Sequence, residues 1–458
     1  MSEATLAGDS LEAVQEHIVA ALEKGEALEV VAGGSKRSYG RDVRAASKQV
    51  ISVLDVSGLT GIVDYQPNEL ILVARPGTPL AGLEATLADQ GQQFAFEPPH
   101  FGEAATLGGA LACNLSGPRR FKAGAARDHL LGFQAVTGRG EVVRGGGRVV
   151  KNVTGYDLSK LMCGSFGTLA VLTEVVVKVL PRAESERTVL FAGLSDAHGA
   201  ARLIAASRTP HEPSGLAHLP SGAVLDGPGL EAAAAAASPN GAALTAMRVE
   251  GPAASAQARA ELLVKEIQGG GNGASGPAHG GAVTILEEGD SRAFWAAVRE
   301  LTPLPVKEGE TLWRFSVAPT AGAALGESLR GAGALGLTYD WGGALVWAVF
   351  PGHPAGVHAL AFRAGGHAQR VRQGPNAALK TTGDGTGKAT VDGTKDSTEN
   401  STEDDTVVNS AEGTAEASKN AGAPFTELSP GQHRLNLNLK LAFDPARVLN
   451  PGRMYADI

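Results

Sequence analysis

Cysteine is almost missing from this chain: of 458 residues, only Cys113 and Cys163 carry a thiol. Two cysteines cannot build a disulfide framework and cannot by themselves hold an iron–sulfur cluster. Both read as small packing residues. Long apolar runs are missing too. None approaches the roughly 20 residues of a membrane-spanning helix, and no signal-type apolar core opens the N-terminus, so the chain reads as soluble and intracellular. Excess positive charge is absent: 40 Lys and Arg stand against 48 Asp and Glu, a net charge of −8. The stretch 381–420 holds nine acidic residues and three lysines, and so supplies six of those eight negative charges. The remainder is nearly neutral, which argues against a nucleic-acid partner.

Two nucleotide-binding signatures are also missing. No G-x-G-x-x-G follows the first strand pattern, which argues against a Rossmann dinucleotide domain. The run G-D-G-T-G-K-A at Gly383–Ala389 imitates a phosphate loop, but Ala389 stands where Ser or Thr is required and no strand precedes it. With its neighbours it reads as an acidic low-complexity insert over 371–424, rich in Thr, Gly, Asp and Ser and poor in large apolar side chains, the composition of a disordered linker.

What the chain has in abundance is glycine, 61 residues of it. Its most organised use lies between Pro98 and Pro181, where T-L-G-G-A-L-A-C-N-L-S-G is followed by an R-D segment and by G-S-F-G-T-L-A-V-L-T-E. Gly108, Gly109, Gly117, Gly164 and Gly167 sit beside Thr106, Asn114, Ser116, Ser165 and Thr168. Small residues mixed with short hydroxyl and amide side chains suit a backbone that must approach a large polar ligand closely. Upstream, E-V-V-A-G-G-S-K-R-S-Y-G at Glu29–Gly40 is a second glycine loop. Backbone N–H groups of Gly33, Gly34 and Ser35 could carry an anion there with few cations, and Lys36 and Arg37 are candidate contacts.

Around these loops the periodicity predicts helices over Leu11–Leu22, with Ser10 as N-cap, and over Pro79–Gln90. Strands are expected at Ala27–Ala32, Val50–Leu54, Glu69–Val73 and Leu169–Leu180. Beyond Pro181 the composition shifts to Ala, Gly, Ser and Pro, with a helix in L-E-A-A-A-A-A-A-S and another over Asp290–Leu301. Strands are expected at Leu312–Val317 and Leu345–Phe350, the second preceded by Y-D-W-G-G-A.

The order of these pieces resembles the FAD-binding domain of the vanillyl-alcohol oxidase / p-cresol methylhydroxylase superfamily. The resemblance covers residues 10–182 and returns at F-D-P-A-R-V-L-N-P-G-R-M-Y, Phe443–Tyr455. It implies an α+β fold: a two-lobed FAD-binding domain over 1–182, an α+β cap domain over 183–370, the insert, and a C-terminal segment, 425–458, that returns to the flavin. The implied cofactor-binding residues are Gly33, Gly34, Ser35, Lys36, Arg37, Pro98, Thr106, Leu107, Gly108, Gly109, Asn114, Ser116, Gly117, Asp128, Gly164, Gly167, Thr168, Leu169, Val171 and Asn450. In several members a histidine in or near the first loop bonds to the flavin. Here that loop has neither histidine nor cysteine, so FAD is expected to be held non-covalently.

The chemistry implied is hydride transfer from a small 2-hydroxy acid to flavin, with a base taking the hydroxyl proton. The sequence identifies no catalytic base; for a chain that oxidises the acid by itself, Arg314, Arg363 and Arg434 are candidate carboxylate clamps. Single-chain 2-hydroxyacid dehydrogenases of the superfamily carry H-x-G-D-G-N-x-H, which is absent here, and His353 and His358 in a Pro-Gly turn make a poor metal pair. No metal site is expected. The chain most resembles the smaller FAD-binding subunits of glycolate oxidase (glycolate dehydrogenase) complexes. That implies partnership with a larger flavoprotein subunit and an iron–sulfur subunit, in the cytoplasm or peripheral at the inner face of the membrane through the complex. A self-sufficient 2-hydroxyacid dehydrogenase and a non-catalytic FAD-fold scaffold are the alternatives.

Overall fold

Helix Leu11–Lys24 shows how the N-terminal pattern becomes structure. Ser10 Oγ accepts from Ala13 N at 3.1 Å, and the helix stops at Gly25, whose φ of +65° only glycine adopts at no cost. Val14, Ile18 and Ala21 fall on one face and are buried against Leu28 and Leu54. Those leucines belong to a parallel sheet of three strands, ordered Thr5–Ala7, Ile51–Asp55, Ala27–Val31. The computed structural model describes residues 5–47, 49–148, 155–237, 241–268, 282–374 and 423–458. The acidic stretch 381–420 therefore lies outside the described residues.

A second, antiparallel sheet of five strands follows in the order Ile62–Gln66, Ile71–Ala74, Ala170–Lys178, Leu130–Thr137, Val142–Gly146. Its central strand Ala170–Lys178 is the β-branched run predicted at Leu169–Leu180. Helix Leu80–Asp89 covers it through Leu80, Leu83 and Leu87, all buried with Leu72, Val175 and Val177. Each such leucine contributes roughly 1.5–3 kcal/mol. The predicted strand Glu69–Val73 begins later, at Ile71, because Pro67–Glu69 forms a 3-10 turn that ends on Leu70 in the left-handed region.

An eight-stranded antiparallel sheet forms the rest, ordered Val283–Leu286, Ser185–Ala192, Leu244–Gly251, Gly215–Leu219, Gly336–Asp340, Leu345–Pro351, Glu310–Ser316, His367–Gln373. The architecture is α+β, as expected. Three of these strands, Ser185–Ala192, Gly215–Leu219 and Leu244–Gly251, arise where the Ala- and Gly-rich composition suggested only a helix. The last strand runs to Gln373. No helix among the described residues is long and apolar enough to cross a membrane.

Two contacts lock this sheet to the N-terminal layers. Glu97 accepts from Arg119 N and Nη2 and from both terminal nitrogens of Arg248, while Arg119 also pairs with Glu250. Beside this network lies an apolar seam of Tyr39, Leu115, Phe166, Leu304, Trp341 and Trp347.

Candidate cofactor cleft

Strand Ala27–Val31 delivers the chain into the first glycine loop, and the loop is built to leave its amides unused. Arg37 N donates to Gly34 O and Tyr39 N to Lys36 O, both at 3.0 Å. Among the described residues the N–H groups of Gly34, Ser35 and Lys36 meet no protein acceptor. Gly34 takes φ +72°, and a Cβ on Gly33 would lie 1.6 Å from Ala104 O, so both positions need glycine. Lys36 is buried and its ammonium donates to Ser35 Oγ and His100 O, both at 3.0 Å. Burial lowers its pKa, with Cys113 and Glu300 pulling the other way.

The facing wall is helix Leu107–Ala112. Its first amides are already taken: Leu107 N donates to Thr78 O, Gly108 N to Pro76 O, and Gly109 N to Thr106 Oγ1. These residues therefore serve by being small. A Cβ on Gly108 would lie 2.6 Å from Pro76 Cβ, and one on Gly109 3.3 Å from Thr106 Oγ1.

The third wall comes from the second loop and the C-terminus together. Phe166 and Gly167 are both left-handed, at φ +55° and +66°. Asn450 joins the walls: its Oδ1 accepts from Val30 N at 2.9 Å and its Nδ2 donates to Phe166 O at 2.8 Å. Beside it Leu28 N donates to Val448 O and Asn450 N to Leu28 O, so the C-terminal segment runs parallel to strand Ala27–Val31. Lys440 and Asp444, both fully buried, fasten this segment; the lysine donates to Asp444 Oδ2, Thr168 O and Leu449 O.

These walls line one cleft, partly open to solvent. Of the residues the sequence nominates, Gly33, Gly34, Ser35, Lys36, Arg37, Thr106, Gly108, Gly109, Gly167, Val171 and Asn450 line it. Arg37 spends its guanidinium on Glu29, at 2.8 and 2.5 Å. The others stand behind the walls or lead to the seam. Asn114 Oδ1 accepts from Arg127 N and Ser116 Oγ from Ala126 N. Gly117 O accepts from Trp341 Nε1, Asp128 caps Ala125 N, and Thr168 O receives Lys440. Leu169 packs with Phe133 and Met162, Leu107 is in the core behind the cleft, and Gly164 turns at φ +88°. Pro98 is buried away from the cleft lining.

Arg453 escaped the sequence reading. It lines the cleft with its guanidinium donating to Arg37 O, and it lies 3.7 Å from Glu29. Its place in P-G-R-M-Y, three residues after Asn450, was the available signal. Cys113 also lines the cleft. Desolvation pushes its thiol up to about 11 against the pull of Lys36 and Arg453. It is therefore protonated near neutrality and a weak nucleophile.

Among the described residues, His358 bonds Thr426 Oγ1 and Ala423 O, His353 bonds Arg370, His100 meets Glu84, and His129 meets Ala123 O. Of the candidate clamps, Arg363 and Arg434 are exposed, while Arg314 lies in the seam.

The donor set fits a dinucleotide with a pyrophosphate. Three amides without a protein acceptor stand beside Lys36 and Arg453, a donor set suited to an anionic group, and close glycine packing leaves the backbone accessible. Residues 2–146 match the family described as FAD binding domain. The chain is 32% identical to glycolate oxidase subunit GlcE of Escherichia coli (strain K12), over 98% of this chain and 99% of that protein. It is 32% identical to glycolate oxidase subunit GlcD of Bacillus subtilis (strain 168), over 30% of this chain and 29% of that one. Among solved structures it is similar to alkyldihydroxyacetonephosphate synthase, with a TM-score of 0.60 at 15% identity, covering 98% of this chain and 76% of the other.

Proposed function

The chain belongs to the family of glycolate oxidase subunit GlcE, an FAD-binding oxidoreductase family, and from that premise we propose that it is the FAD-binding subunit of a complex oxidising glycolate to glyoxylate. In that reaction the Cα–H bond of the acid breaks with its electron pair, the hydroxyl gives up its proton, and the C=O of the product forms. When bound, FAD supplies the acceptor for that electron pair. The residues of this chain bind and orient. Gly34, Ser35 and Lys36 offer amides to the pyrophosphate, and Lys36 and Arg453 offset its charge. Thr106, Gly108, Gly109, Gly167, Val171 and Asn450 shape the rest of the cleft, and the thiol of Cys113, held protonated, is consistent with non-covalent binding.

The observation that carries this reading is the first loop, whose three free amides open into a cleft beside a buried lysine. The same reading divides the chain into an FAD-binding part over 1–182, a cap over 183–370, and a C-terminal segment, 425–458. It assigns a larger flavoprotein subunit and an iron–sulfur subunit as partners, with any membrane contact made through the complex. The test is an anaerobic visible spectrum of the purified chain before and after glycolate. A flavin band that persists until partner subunits are added supports the complex. A band that bleaches in the isolated chain means that it oxidises the acid alone. Protein that is colourless and cannot be loaded with FAD refutes the proposal.

A further inference from the structure

Among the described residues, two guanidiniums in the seam are claimed by no carboxylate. Arg120 stands on the short helix Arg120–Ala123, just beyond the second glycine stretch, and Arg314 on strand Glu310–Ser316 of the eight-stranded sheet. Their central carbons lie 4.0 Å and 5.2 Å from the centre of one ring, Trp341, and so within about 9 Å of each other. Neither forms an ion pair among the described residues. Asp340 and Asp128 act on Arg120 only from a distance. The Asp340 carboxylate is turned to Trp341 N at 2.7 Å and that of Asp128 to Ala125 N at 2.9 Å. Burial lowers the pKa of Arg120, and the like charge of Arg314 adds to it. An aromatic face repays part of that repulsion; an anion would repay the rest.

The ring they share is placed at a cost. Trp341, Gly342 and Gly343 take φ +52°, +69° and +95° in succession. The left-handed region is unfavourable for a bulky residue and persists where surroundings enforce it. Here Trp341 Nε1 is anchored on Gly117 O at 3.0 Å. The position adjoins the cleft: Trp341 shares an apolar cluster with Tyr39 and Phe166, whose rings meet edge-on at 4.9 Å, and Phe166 lines the cleft.

We propose that Arg120 and Arg314, both set against the ring of Trp341, bind the carboxylate of the 2-hydroxy acid on this chain itself. The proposal rests on the function given above and deepens it, because it places the acid here rather than on a partner alone. Guanidinium binds carboxylate through short, charge-assisted and often paired hydrogen bonds. The two arginines come from different layers of the fold, so the site exists only when the sheets are seated on one another.

Oxalate, which has no Cα–H to lose, is the probe. Its dissociation constant is measured by titration calorimetry on the FAD-loaded chain, with flavin content recorded for each preparation. Arg120→Gln and Arg314→Gln are each expected to weaken oxalate by about 10- to 100-fold at unchanged flavin content. Exposed Arg363→Gln is expected to leave it unchanged. Should Arg314→Gln fail to fold, Arg314→Lys keeps the charge without the fork and is expected to weaken oxalate several-fold. Flavin-loaded wild-type chain that does not bind oxalate, or Arg120 and Arg314 variants that bind it as wild type does, would overturn the clamp. Wild-type protein that cannot be loaded with FAD would instead overturn the function on which it rests.

Discussion

Lys440→Met should loosen the cofactor cleft although Lys440 never reaches it. The ammonium and the Asp444 carboxylate are both fully buried, 2.7 Å apart. The lysine also donates to Thr168 O at 2.7 Å and Leu449 O at 2.9 Å, tying helix Pro430–Phe443 to the second loop and to the residue before Asn450. Removing one partner of a buried ion pair costs about 3–5 kcal/mol, because the other charge is left uncompensated. Asp444 keeps the amides of Val448 and Leu449, at 2.9 and 2.8 Å, so the loss should fall near the lower end, about 3 kcal/mol. Urea unfolding of the FAD-free protein should show a lower midpoint at unchanged slope, and a lowered flavin affinity should accompany it as Asn450 loses its fixed position. Adding Asp444→Leu should not restore stability, since it strands those two amides. A Lys440→Met protein within about 1 kcal/mol of wild type would refute the reasoning, as that is far below the cost of an unpaired buried charge.

Two more perturbations separate the loop from the seam. Gly34→Asp meets nothing within 4 Å and holds φ +72°, a conformation Asp tolerates better than most residues. The fold should therefore survive, while the carboxylate beside the free amides lowers bound flavin at least tenfold by absorbance; full flavin content would move the pyrophosphate elsewhere. Asp340 is raised from 3.8 to about 7, first by burial and then by Glu97. An acid raised on folding binds more protons in the folded than in the unfolded chain between those values. Its contribution is thus most favourable below about pH 4 and is lost as pH rises to about 7. Asp340→Asn keeps the cap on Trp341 N and should flatten that decline. Unfolding curves of the two proteins that run parallel from pH 4 to 8 would show that Asp340 is not the group responsible.

How far the chain could be read in advance follows from where each signal resides. Helix Leu11–Lys24 and strand Ala170–Lys178 were legible because a cap, a period and a β-branched run are local properties. The first loop was legible for the same reason: Gly33 and Gly34 advertise a backbone that must turn and approach closely. Strands Ser185–Ala192 and Leu244–Gly251 were not, because both are buried almost throughout and have no alternating polar face to betray them. The clamp was half visible. Arg314 could be named from its chemistry, but Arg120 becomes its partner only across 194 residues of chain, through a tryptophan ring that both approach and that the strained W-G-G turn holds in place. Arg453 and Lys440 were silent for a further reason. A buried cation is indistinguishable in sequence from a solvated one, and its value depends on carbonyls and carboxylates that other segments bring to it: Arg37 O and Glu29 for one, Thr168 O and Asp444 for the other. Local pattern thus specified the walls of the site, whereas the charges that hold those walls together depend on tertiary contacts, so substitutions at Lys440, Arg453 and Arg120 are the ones that test this fold as a working site.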